Sequence, residues 1–200
     1  MSSSREILVF AGSTRADSLN RKLAALAASV AREQGAAVTH LELKDYPLPI
    51  YDGDHEANHG TPHQVAELRA LLKSHPIWLI ASPDYNSSIA PLLKNVIDWV
   101  SRPVDGEDYV ACFKGCTVGI MASSPGSSGG ARGLPHLRQV LEHLGANVLT
   151  DQFTLPRGAT AFTESGSLVD AIRLQQLHKF VRKAIEAAGV RADVQQTHAA

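Results

Sequence analysis

Residues 7–11, 77–81 and 118–122 are short apolar runs with no polar position between them. A strand buried on one face alternates, whereas one covered on both faces is apolar throughout, so these runs predict central strands of a parallel sheet. Residues 38–43 alternate instead, Val-Thr-His-Leu-Glu-Leu, as expected of a strand nearer an edge. A fifth strand is expected within residues 146–155.

Between the strands the apolar period becomes helical. Leu23, Leu26, Ala27, Val30 and Ala31 share one face, and Gly35 is placed to end that helix. Thr61 and Pro62 offer an N-cap and a first turn, after which Val65, Leu68, Leu71 and Leu72 form a buried stripe. Residues 91–99, 134–144 and 168–187 predict three further helices. Alternating strands and helices imply an α/β fold, a parallel sheet wound on both faces through right-handed crossovers. Residues 46–60, rich in Pro and Asp, predict a surface loop. A single domain is expected over residues 1–190, followed by a polar, frayed tail over residues 191–200.

In such a sheet ligands bind outside the carboxyl ends of the strands, where the winding direction switches. Three loops are therefore singled out: GSTRADSLN (12–20), SPDYNSS (82–88) and SSPGSSGGARG (123–133). Each is polar or glycine-rich and each precedes a helix. A helix N-terminus exposes unpaired N–H groups and carries about half a positive charge, which suits a phosphate. Ser13, Ser18 and Asn20 add neutral hydrogen bonds there, and Arg15 adds a charged one. The two glycine-rich phosphate motifs, G-x-x-x-x-G-K-[ST] and G-x-G-x-x-G, are both missing, which leaves a mononucleotide held by side chains. Tyr85 offers a surface for a planar ring, Pro83 keeps the chain extended, and Gly126, Gly129 and Gly130 allow close backbone approach to a flat ligand.

Composition narrows the partners. With 19 Lys+Arg against 20 Asp+Glu the net charge is -1, which argues against nucleic acid. No apolar stretch approaches the roughly 18 residues needed to cross a bilayer, so a cytoplasmic protein without membrane contact is expected. Cys112 and Cys116 form C-x3-C, which has neither the redox spacing nor a second pair for zinc. His55, His59 and His63 recur every four residues, but Gly53, Gly60 and Pro62 argue against a continuous helix that would align them. A solvated loop is expected there, and no metal site.

Three ordered motifs carry a resemblance: G-S-x-R-x-x-S-x-N on Gly12, Ser13, Arg15, Ser18 and Asn20; P-D-Y-N-S-S-I-x-x-x-L-K-N-x-I-D-W over residues 83–99; and S-P-G-x-x-G-G-x-R over residues 124–132. From about residue 5 to about residue 155 the chain resembles the NAD(P)H-dependent FMN reductases, which include quinone, chromate and azo-dye reductases. The resemblance implies a flavodoxin-like fold, a doubly wound five-stranded parallel sheet of strand order 2-1-3-4-5. It also implies FMN as cofactor and NADPH or NADH as co-substrate. Ser13, Arg15, Ser18, Leu19 and Asn20 would hold the phosphate end. Pro83, Asp84, Tyr85, Asn86 and Ser87 would line the ring, and Ser124, Pro125, Gly126 and Gly129 would close its far side. The family usually carries Glu where this chain has Asp84. Its members pack subunits through the helix at residues 91–101, which implies a homodimer or a dimer of dimers.

The implied reaction passes a hydride from the nicotinamide to flavin N5 and then electrons to a quinone, free flavin, azo compound or metal oxyanion, in reductase classes EC 1.5.1 or 1.6.5. The cofactor carries the chemistry, so no side chain is expected as a general acid or nucleophile. Two alternatives stand beside this reading. One is a non-enzymatic flavin electron carrier or regulatory module. The other is a serine hydrolase, because Gly126, Ser128 and Gly130 spell G-x-S-x-G, with Asp151 or Asp170 and then His178 in the matching chain order.

Overall fold

In the computed structural model, which describes residues 6–104 and 106–198, the apolar runs form the centre of one sheet. Strands β1 (Glu6–Ala11), β3 (Ile77–Ala81) and β6 (Thr117–Ser123) lie side by side, with Ile7 opposite Ile77 and Ile77 opposite Thr117. Strand β2 (Ala37–Leu41) pairs with the outer side of β1 and is only partly buried, as its alternation indicates.

Alternate residues of the central strands serve opposite cores. Leu8, Phe10, Trp78, Ile80, Val118 and Ile120 face helices α3 (His63–Ser74), α4 (Pro91–Val100) and α5 (Leu134–His143). Ile7, Val9, Ile77, Leu79 and Met121 face helices α1 (Leu19–Glu33) and α6 (Ala171–His198). Both faces bury apolar area, each large side chain contributing about 1.5–3 kcal/mol, and so the strands show no alternation.

The fifth strand position is filled by two pieces, β7 (Asn147–Val148) and β8 (Phe153–Leu155), both parallel to β6. The order β2-β1-β3-β6-β7, with β8 further along β6, is the expected 2-1-3-4-5 arrangement with its last strand interrupted. At the break the Arg138 guanidinium donates to the carbonyls of Val148, Leu149 and Thr150, supplying partners that a continuous ladder would otherwise give.

Several boundaries differ from expectation. Residues 46–60 are not all loop: α2 (Gly53–His59) forms because the Asp52 carboxylate accepts from the N–H groups of Asp54 and His55. It stops at Gly60, at φ +75°, before His63. Thr61 does not cap α3; Pro62 occupies the cap position without a side-chain bond. Helix α6 starts at Ala171 rather than residue 168, because Asp170 accepts from the N–H groups of Ile172 and Arg173. It continues to His198, through most of the segment expected to fray; residues 1–5, 199 and 200 lie outside the described residues.

Candidate functional site

The carboxyl ends of β1, β3 and β6 open into a cleft of about 280 Å³ built from all three singled-out loops. Ser13, Arg15, Ser18, Leu19 and Asn20 line it from the first, Pro83, Asp84 and Tyr85 from the second, and Ser124 and Pro125 from the third. Asn86, Ser87, Gly126 and Gly129 lie outside its lining. Asp17, Ser123 and Ala159 belong to it as well, beyond the residues that the motifs single out. Asp17 falls on an unspecified position of the first motif. Ala159 comes from the short 3-10 turn Gly158–Thr160, which carries no sequence signal for a site.

The first loop leaves donors without acceptors of their own. Ser18 is the N-cap of α1, its Oγ accepting from Arg21 N at 3.3 Å, which leaves the hydroxyl proton free to donate. Buried Ser13 accepts from Arg15 N at 3.4 Å and keeps its proton in the same way. Leu19 and Asn20 open the helix, so their N–H groups have no partner one turn earlier. Among the described residues no carboxylate pairs with the Arg15 guanidinium, whereas neighbouring Arg21 is held by Glu42 at 2.9 Å. Such a set accommodates a phosphate dianion. Asn20 has a further engagement: its carboxamide is bonded in both directions to the Ser123 backbone.

The second loop is a small hairpin, β4 (Asp84–Tyr85) paired with β5 (Ser88–Ile89). Its central residues Asn86 and Ser87 adopt φ 54° and 63°, the left-handed pair of a tight hairpin turn that usually calls for glycine. Asp84 offsets this strain by accepting from Ser87 N at 2.8 Å. Tyr85 stands 45% exposed at the cleft's rim, available to a planar ring.

The third loop's glycines fit their own chain. A Cβ on Gly129 would lie 2.7 Å from Pro156 N, and one on Gly130 would lie 2.8 Å from Ala122 Cβ, both at positive φ. Only near Gly126 is the space open, the nearest atom to an added Cβ being Ser124 Oγ at 3.9 Å.

The competing chemistries are not assembled. Asp151 pairs with Lys183, Asp170 caps α6, and His178 faces Glu33 at 3.9 Å, so none of them turns toward Ser128. His55 and His59 stack at 4.5 Å on α2, but among the described residues no three metal-ligating side chains converge. Burial pushes the Cys112 thiol up and away from the thiolate form, and Cys116 Sγ donates to Phe113 O. No helix of the described residues is long and apolar enough to cross a membrane.

Comparison with known proteins agrees with this geometry. The family model described as NADPH-dependent FMN reductase matches residues 5–160. An NAD(P)H-dependent FMN reductase of Pseudomonas aeruginosa is 33% identical over 196 residues, covering 92% of this chain and 98% of that one. A probable NADPH:quinone oxidoreductase of Oryza sativa subsp. japonica is 35% identical over 136 residues, 67% of this chain and 63% of its own length. Among solved structures, the flavoenzyme NAD(P)H:(acceptor) oxidoreductase of Paracoccus denitrificans superposes with a TM-score of 0.79 at 29% identity, over 92% of this chain and 97% of that one.

Proposed function

The chain belongs to the NADPH-dependent FMN reductase family, and from that premise we propose that it is an FMN-dependent NAD(P)H oxidoreductase whose cofactor occupies the cleft between the first and third loops. The observation that carries this reading is the cluster of unpaired donors at the start of α1: the Ser13 and Ser18 hydroxyls, the first helical N–H groups and Arg15. The chemistry FMN supplies when bound is acceptance of a hydride at N5 from NADPH or NADH and delivery of the electrons to a second substrate.

The chain's own residues then bind and orient. Arg15 neutralises phosphate charge, and the N-terminus of α1 adds its dipole on the same side. Pro83, Asp84 and Tyr85 from the second loop and Ser124 and Pro125 from the third line the same cleft and would flank a bound ring. Tyr85 is 45% exposed at the cleft's rim, which leaves the site open to a nicotinamide or an acceptor. A quinone, free flavin, azo compound or metal oxyanion fits an open site of this kind, which corresponds to classes EC 1.5.1 or 1.6.5. Helix α4 is the surface through which we expect a homodimer, or a dimer of dimers, to pack.

The purified protein should show flavin absorption bands that are released by heat as FMN, and those bands should bleach anaerobically on adding NADPH or NADH. A colourless protein that takes up no added FMN refutes the assignment.

A further inference from the structure

Strand β6 runs two residues past the end of β3: the β3–β6 pairing closes at Ala81 opposite Met121, and Ser82 N bonds to Met121 O at 2.8 Å. Beyond that point β3 has turned away into the second loop. Ser123 still pairs with Leu155 of β8 on one side, but its other edge has lost its strand. The Asn20 carboxamide occupies that edge. Its Nδ2 donates to Ser123 O at 2.9 Å, and Ser123 N donates to its Oδ1 at 2.9 Å. Asn20 is 4% exposed and Ser123 3% exposed, so water does not compete for these bonds.

A carboxamide carries the same donor and acceptor pair as a peptide unit, so one side chain replaces the missing strand residue. It does so across 103 positions of sequence, joining the phosphate-binding loop to the start of the loop that closes over the ring. Ser123 Oγ continues the connection by donating to Leu155 O at 3.1 Å. We propose that Asn20 is a positioning residue for the third loop rather than a phosphate ligand, setting the height of Ser124 and Pro125 over the flavin ring. This rests on the flavin-reductase reading of the same cleft.

The consequence is a division of labour between two residues five positions apart in one motif. Arg15 senses the phosphate; Asn20 senses the ring. Binding of FMN and of riboflavin, which lacks the phosphate, separates them. Asn20→Ala should weaken both ligands by a similar factor, about tenfold or more, while Arg15→Ala weakens FMN alone. Without any flavin, amide exchange should show the Ser123 N–H protected in the parent and unprotected in Asn20→Ala.

Asn20→Asp supplies a test that does not depend on truncation. A carboxylate has no donor for Ser123 O, whereas a protonated carboxyl restores donor and acceptor together. Arg15, Asp17, Asp84 and Tyr85 are the other ionisable groups lining the cleft, and they are common to parent and variant. Riboflavin affinity relative to the parent should therefore recover in Asn20→Asp as pH falls. Loss of FMN but not riboflavin affinity in Asn20→Ala, unchanged Ser123 exchange, or a flat relative riboflavin profile in Asn20→Asp each overturns the proposal. A parent that binds neither flavin overturns the functional reading along with it; a parent that binds both, with Asn20→Ala indistinguishable from it, overturns this inference alone.

Discussion

The Asp84 carboxylate joins two loops at once: one oxygen accepts from Ser87 N at 2.8 Å, the other from Gly133 N at 3.2 Å. One acid thereby holds a hairpin turn with two residues at positive φ and ties it to the start of α5. The docking is close, since a Cβ on Gly133 would lie 2.8 Å from Ser88 O. Asp84→Ala should lower the unfolding free energy by about 1–3 kcal/mol, because two backbone donors lose a charged acceptor. Asp84 and Tyr85 of the hairpin line the cleft, so FMN and riboflavin should weaken together. Unchanged chemical-denaturation midpoints would remove the tie from the account.

Among the described residues Arg15 is the only Lys or Arg that lines the cleft, and Arg15→Ala removes it. FMN affinity should fall by about ten- to hundredfold, equivalent to roughly 1.5–3 kcal/mol for a charged hydrogen bond. Riboflavin should bind parent and variant nearly equally. Titration calorimetry with both ligands checks the pair, and an equal loss for riboflavin would assign the arginine to the ring or to the fold.

The strands and the three site loops were legible because their signals are local. Runs such as Ile77–Ala81 are apolar on both faces, and each loop lies where a strand must hand over to a helix. The misses have local causes as well. Gly53 and Gly60 read as breakers inside residues 46–60, yet they mark the two ends of α2, and Asp52 just before them was an available N-cap signal. The hairpin at Asp84–Ile89 was illegible because its strands are two residues long and its turn uses Asn86 and Ser87 in place of glycine. Motif position placed Asn20 correctly in the cleft, but its partner Ser123 is a backbone group brought near by the fold alone. Gly129 and Gly130 suggest close backbone approach to a ligand, and they also pack against their own chain, where an added Cβ would meet Pro156 and Ala122.

Away from the cleft, Glu107 links the loop after α4 to α3. Hydrogen bonds from Lys73 and from Arg69, the latter at 2.6 Å, hold its carboxyl below the usual carboxylate range. The unfolded chain then takes up this proton more readily than the folded one. The group's contribution is present above the unfolded carboxylate pKa and disappears as pH falls through the lower, folded value. Parent and Glu107→Gln should therefore differ in thermal midpoint at about pH 7 and converge toward about pH 3. A gap that stays constant over this range would show that the ion pairs contribute nothing specific.

The last prediction separates an enzyme from an electron carrier and turns on what surrounds the ring. A site built for single-electron traffic opposes charge build-up on the reduced flavin with acidic groups and close cover. Here the second loop brings Asp84 to the cleft lining, and both of its oxygens are occupied by backbone N–H groups, which offset its charge. Asp17 lines the same cleft as Arg15, from the first loop. The dipole of α1 favours negative charge in the cleft. Cover is slight as well: Tyr85 is 45% exposed at the cleft's rim. Charge tolerance and an open face both favour transfer of an electron pair from a stacked nicotinamide. Anaerobic titration with NADPH or NADH should take the bound FMN from oxidised to fully reduced at one equivalent per flavin, with a single isosbestic conversion of the visible spectrum. If dithionite reduces the flavin but neither nucleotide does, the chain is an electron carrier on a reductase scaffold.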